Sequence, residues 1–260
     1  GREAARRLAL RADVLVENFR PGVMERLGLG AGQLCEGNPR LVYASITGFG
    51  KGSPEPGYDL MVQGLSGVPS LTGPPDGAPY KCGASIADLV SGMNLSQAVL
   101  AALYRRERTG RGGQVDVPMM DGMLSLLTYH AGAYLNAGVE PARMGNGHPS
   151  IHPFQPYAAA DGYVNLCVGN DRIFRRLCKA LDRPEWAEDP RFETNPSRVR
   201  NRHALDNLLE PLFGSWTREE LRVLLREHGV PCDFVSTVPE ALSSAELLTH
   251  PHPSGEGSFR

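Results

Sequence analysis

Apolar residues recur at helical spacing over residues 2–12, then close into a short strand-length run, DVLVE, at 13–17. A loop at 18–22 (NFRPG) leads to a short helix at 23–27, and LVYASI at 41–46 is a second strand. Helix, strand, helix, strand at such spacing predicts parallel strands joined by crossovers, hence an α/β sheet. Further helices are expected at 58–67 and from Asp88 to about residue 108, with Gly110 as the C-cap. A strand, GQVDV, follows at 113–117, and Pro118 suits the first turn of a helix running to about residue 136.

Beyond the loop GNGHPSIHP at 145–153 the pattern changes. Strands at 163–168 and 231–235 and helices at 171–181, 197–213 and 218–227 predict a second unit, in which Thr217 and Glu220 form a capping box. The fold class expected is α/β: an incomplete Rossmann-like parallel-sheet large domain over 1–153 and a smaller α/β domain over 154–245. Residues 246–260 read as the start of a segment returning to the large domain. The first helix has no strand before it, so the opening βα unit is missing and the chain reads as a fragment truncated at both ends.

Composition narrows the functional classes. Apolar residues at 41% and charged residues at 22% are ordinary for a soluble domain. A net charge of −2 without a basic stripe argues against nucleic acid as a partner. Arg105, Arg106, Arg108 and Arg111 cluster at the end of the long apolar helix, where cations suit the dipole. The five cysteines (Cys35, Cys82, Cys167, Cys178, Cys232) are odd in number and contain no CxxC, which points to free thiols in a reducing, cytoplasmic setting. No uninterrupted apolar run is long enough to span a membrane.

Several chemistries are set aside. Gly48, Gly50 and Gly52 after a strand mimic a dinucleotide loop, but Pro54 and Pro56 stand where its helix should open. His148 and His152 stand four apart, yet Pro149 and Pro153 preclude the helix that would align them, and no metal is expected. No G-x-S-x-G elbow is present. His250 and His252 read as surface residues of a Pro-rich tail.

Asp88 stands out. It follows the small-residue stretch KCGASIA at 81–87 and precedes a helix that is uncharged from Leu89 to Tyr104. At a helix mouth it meets unpaired N–H groups and the positive dipole end, so an ionised carboxylate with a depressed pKa is expected. Two readings stay open at this point: a helix N-cap, and a nucleophile in an apolar pocket. Three clusters can complete a site. In ENFRPGVMERL at 17–27, Asn18, Phe19, Arg20 and Arg26 leave a strand end, where an aromatic ring and a phosphate-gripping arginine suit a ligand. Tyr58 and Asp59 open a helix, and the glycine-bearing loop at 145–149 is suited to close over a pocket. Each also has a bland account: a capped turn, a first-turn acid, an interdomain turn.

Taken in order, these segments resemble the family III CoA-transferases, also called the CaiB/BaiF family, which include formyl-CoA and carnitine CoA-transferases. Matching stretches are ADVLVENFRPGVMERLGL at 12–29, NPRLVYASITG at 38–48, 57–59, 88–92, LYRRERTGRGGQVD at 103–116, 119–121, 144–171, DPRFETNPSRVRNR at 189–202 and 229–232. The resemblance implies that Asp88 is the nucleophile of an acyl-CoA:carboxylate CoA-transferase working through an aspartyl-CoA thioester, with Tyr58 and Asp59 beside it. It implies that Asn18, Phe19, Arg26 and Leu27 contact CoA, and that Gly145, Asn146, Gly147 and His148 form the covering loop, although four consecutive glycines occur there in some members. Coenzyme A and acyl-CoA are then substrates with a small carboxylic acid; no cofactor is bound permanently, and the full-length form is an interlocked homodimer. Related α-methylacyl-CoA racemases carry a histidine at the position of Tyr58, and a tyrosine of pKa about 10 is a poor base at neutral pH. A racemase or epimerase is the alternative within the superfamily, and a non-catalytic truncated remnant the alternative outside it.

Overall fold

The computed structural model describes residues 1–243, 250–251 and 258–259, which fall into two units, 1–145 and 146–260. The first unit opens with α1 (Arg2–Ala9), β1 (Val14–Glu17), α2 (Val23–Arg26), α3 (Ala31–Gly37) and β2 (Val42–Thr47). It continues with α4 (Asp59–Leu65), α5 (Val68–Leu71), α6 (Ile86–Thr109), β3 (Gly113–Pro118), α7 (Met119–Ser125) and α8 (Thr128–Ala137).

The three strands pair in parallel in the order β1-β2-β3, with Val14 opposite Val42 and Val42 opposite Gly113. Helices cover both faces of the central strand, so its sequence is apolar almost without alternation. Tyr43 packs with Ala9, Met24, Leu29 and Leu34 on one side, while Ile46 meets Val62, Ala87, Met119 and Met123 on the other.

Ser85 precedes α6, and Gly110 ends it at φ 71, a conformation that glycine adopts without strain. Ala87, Ser91, Leu95, Ala102 and Arg106 form its buried stripe, turned toward β2, β3, α4 and α7. Leu89, Met93, Leu100 and Tyr104 are exposed on the remaining surface. Among the described residues it is the one helix long and apolar enough, by length and composition, to cross a membrane. Arg106 anchors its far end by donating to the Asp13 carboxylate (2.9 Å) and the Arg40 carbonyl (3.2 Å).

Local departures from the pattern have physical causes. The helix expected from Pro118 onward is two helices, and Pro118 ends β3 ahead of α7. The break falls at Thr128, whose φ of 40 is costly for a β-branched residue and is announced by no glycine or proline. The short helices α3 and α5 lie where the pattern marks no element.

The second unit holds β4 (Phe154–Ala159), β5 (Gly162–Cys167), α9 (Asp171–Ala180), a 3-10 turn (Pro184–Ala187), α10 (Asn195–Arg200), α11 (Arg202–Gly214), α12 (Arg218–Glu227), β6 (Cys232–Phe234) and α13 (Val238–Ser243). Its sheet, β4-β5-β6, is antiparallel throughout. Pro156 masks β4 in the sequence, but β4 is an edge strand, where proline's missing N–H is tolerated. The capping box of Thr217 and Glu220 is present. Arg198 is wholly buried and donates to the carbonyls of His152 (2.8 Å) and Phe192 (2.9 Å) and to Asp171 (2.8 Å). The return segment expected at 246–260 lies outside the described residues, His252 included, apart from the antiparallel pair β7 (His250–Pro251) and β8 (Ser258–Phe259).

Candidate active site

In a parallel sheet, loops leaving the carboxyl ends of the strands converge on one edge. Here they meet the first turns of α6 around a cavity of about 390 Å³. Asn18, Phe19 and Arg20 enter it from the loop after β1, Thr47 and Gly48 from the end of β2, and Glu55 and Gly57 from the approach to α4. Asp88 and Ser91 come from α6 and Met119 from α7.

Asp88 is the third residue of α6 and not its N-cap, because the helix starts earlier than the apolar pattern marks. Ser85 holds the cap position without a side-chain bond to the helix. The Ala87 amide is satisfied instead from another element: it donates to Asp59 Oδ1 at 2.9 Å. The Asp88 carboxylate lines the cavity with no capping duty. Its pKa is raised, where the helix-mouth position predicted a depressed one. Loss of surrounding water is the larger cause, and the negative charge of Asp59 adds to it.

Asp59 is a tertiary cap. Its Oδ2 accepts from Gln63 Nε2 at 2.7 Å, and Gln63 Oε1 in turn accepts the Cys82 amide at 2.9 Å. Tyr58 sits one residue before α4, largely exposed, and does not line the Asp88 cavity. The expected CoA contacts divide: Asn18 and Phe19 share the cavity with Asp88, whereas Arg26 and Leu27 line a separate one of about 550 Å³ with Arg2, Arg6 and Gln33.

Gly145 ends the first unit at φ 61, its amide donating to the Gly73 carbonyl at 3.2 Å. Asn146, Gly147 and His148 open the second unit, where the His148 ring stands edge-on to Phe154 at 5.5 Å and its carbonyl accepts from Arg202 at 3.2 Å. Among the described residues no group of His, Cys, Asp or Glu could hold a metal.

Gln63, Ser91 and Glu55 were missed by reading the sequence. Gln63 left a signal: it stands four residues after Asp59, on the same face of α4, beside the buried Val62. A polar side chain wholly buried on a helix needs partners, and here they surround Asp88's own segment.

The family model of the CoA-transferase family III matches residues 1–251. The acetyl-CoA:oxalate CoA-transferase of Acetobacter aceti is 43% identical over 89% of this chain and 60% of its own length. The succinate–glutarate CoA-transferase of Agrobacterium fabrum is 37% identical over 93% of this chain and 61% of its own. A crystal structure of a CaiB/BaiF family protein from Brucella suis superposes with a TM-score of 0.84 at 42% identity, covering 94% of this chain and 66% of that one. The chain thus spans about three fifths of the length of these curated relatives. With the family model matched across both units, the chain belongs to the CoA-transferase family III.

Proposed function

We propose that this chain carries the catalytic carboxylate of an acyl-CoA:carboxylate CoA-transferase, and that Asp88 is that group. The observation that supports it is a carboxylate released from helix capping by Asp59 and lining a cavity at the carboxyl edge of a parallel sheet. Asp88 attacks the thioester carbonyl of the donor, expelling CoA thiolate and leaving a mixed anhydride. The thiolate attacks the aspartyl carbonyl, forming an aspartyl-CoA thioester and releasing the donor acid. The acceptor carboxylate then attacks that thioester, and the expelled thiolate takes the acceptor's acyl carbon, which regenerates Asp88.

The two curated relatives are named for oxalate and for succinate and glutarate. A small dicarboxylic acid is accordingly the acceptor class in this reading. Arg20 lines the cavity, makes no ion pair among the described residues and suits a second carboxylate. Asn18 and Phe19, which share the cavity with Asp88, hold the thioester arm. Free thiols at all five cysteines support a reducing, cytoplasmic setting. The exposed Leu89, Met93, Leu100 and Tyr104 support a homodimer that covers them.

The test is a product assay of the full-length protein with succinyl-CoA and a panel of short mono- and dicarboxylic acids, with hydroxylamine added to trap the intermediate. A hydroxamate on Asp88, formed only with acyl-CoA and lost in Asp88→Ala, is the expected result. Transfer that persists in Asp88→Ala rejects the assignment, and α-proton exchange with solvent in place of transfer points to the isomerase.

A further inference from the structure

The segment that delivers Asp88 into the cavity begins with four small residues and ends with Ile86 and Ala87, which pack against Val62, Met119 and Met123. Between Lys81 and Asp88 the chain reads Cys-Gly-Ala-Ser-Ile-Ala, with only Ala87 buried. From Cys82 to Ser85 the side chains provide little packing to hold the backbone in place, and the glycine adds freedom. Helix α6 starts inside this stretch, yet its cap residue Ser85 makes no side-chain bond to it. The 82–85 stretch and the first amides of the helix must therefore be held from outside the segment.

Two side chains from α4 do so. Asp59 Oδ1 accepts the Ala87 amide at 2.9 Å, directly before Asp88. Gln63 Oε1 accepts the Cys82 amide at 2.9 Å, at the other end of the segment, and its Nε2 reaches the Ala84 carbonyl at 3.5 Å. The same Nε2 donates to Asp59 Oδ2 at 2.7 Å, so the two holds are joined. Gln63 is wholly buried, so each of its polar atoms depends on these partners. An amide is the side chain that fits: its oxygen faces a donor and its nitrogen faces acceptors.

We propose that Gln63 is a positioning residue for the reaction, a clamp that fixes Asp59 and both ends of the 82–87 segment so that Asp88 is held at the reacting carbonyl. The inference rests on the transferase reading and adds to it a residue that touches no substrate. Misplacing a nucleophile by about 1 Å costs roughly 100-fold in rate while leaving substrate contacts in place.

The chemistry of the clamp supplies its own control. In Gln63→Glu an oxygen replaces the donor nitrogen and meets Asp59 Oδ2. In Asp59→Asn, with Oδ1 kept toward Ala87, a donor meets the Gln63 donor. The double variant Asp59→Asn/Gln63→Glu restores the pairing of the two side chains, because the amide introduced at position 59 can donate to the carboxylate introduced at position 63, which still accepts the Cys82 amide; only the 3.5 Å contact with the Ala84 carbonyl stays lost.

The experiment measures kcat and KM for acyl-CoA in the full-length protein, together with hydrogen exchange of the Cys82 and Ala87 amides. Each single variant should lose roughly 10- to 100-fold in kcat with KM for acyl-CoA changed less than about threefold. Exchange at Cys82 and Ala87 should quicken by about tenfold in Gln63→Glu, and the double variant should recover most of both losses. A role in general stability alone would not produce recovery by exchanging donor and acceptor. Should Gln63→Glu not fold, a folded and active double variant is the same rescue. Wild-type kcat and exchange in Gln63→Glu, or a double variant no better than the poorer single, overturns the inference. Should the wild-type protein transfer CoA to no acid, the transferase reading falls, and amide exchange still decides whether Gln63 holds the segment.

Discussion

Gly48 and Gly57 meet backbone to backbone beside the Asp88 cavity. A Cβ on Gly57 would lie 2.4 Å from the Gly48 Cα, and one on Gly48 would lie 2.5 Å from the Gly57 Cα. Their hydrogen-only side chains let the end of β2 and the approach to α4 close on each other, which forms part of the cavity wall. Gly57→Ala should therefore destabilise by about 1–3 kcal/mol through overpacking and raise KM for acyl-CoA. Gly64→Ala in α4 is the contrast, because a Cβ there meets nothing within 4 Å. That variant should gain up to about 1 kcal/mol from helix propensity, read as opposite shifts of the urea midpoint.

In the proposed mechanism the ionised form of Asp88 attacks, so transfer should fail as pH falls through its pKa. That pKa is raised, first by burial and second by Asp59. Asp59→Asn removes the second cause and leaves the first, so the acidic limb of kcat/KM should move to lower pH without reaching the value of a fully hydrated carboxylate. An unmoved limb would show that Asp88 does not titrate in that profile.

Stability should respond differently at the same residue. A group with a raised folded-state pKa adds stability below its unfolded value and loses it as pH rises through the folded one. At neutral pH that contribution is gone, and Asp88 makes no capping bond. Asp88→Asn should leave denaturant stability within about 0.5 kcal/mol of wild type while abolishing transfer. A large loss of stability would mean that the carboxylate is structural.

In the second unit, Arg198 is a wholly buried cation tied to Asp171, His152 and Phe192. Arg198→Met leaves the carbonyls of His152, Phe192 and Glu193 without that donor and Asp171 without its ion-pair partner, a change expected to cost about 3 kcal/mol or more. Thermal unfolding measured beside Thr217→Ala, which loses a capping box worth about 1 kcal/mol, gives the comparison. A cost for Arg198→Met at or below that of Thr217→Ala would show that the buried cation adds little net stability.

Amphipathic periods and capping chemistry are local, and what they encode was legible. The sequence alone determined the parallel α/β arrangement around LVYASI, the long helix stopped by Gly110, the capping box at Thr217 and the prominence of Asp88. Where a local rule competes with packing, it failed: Pro156 hid an edge strand, and Thr128 broke a helix without a breaker residue. Only the tertiary structure decided which acid caps α6, because the Ala87 amide can be reached by Asp88's own segment or by a distant helix. It chose Asp59, with the buried Gln63 behind it, and that choice separates the cap from the carboxylate left to line the cavity. Hydrogen bonds between residues far apart in the chain leave no period in the sequence, so the clamp on Asp88 became visible only once α4 and α6 had packed together.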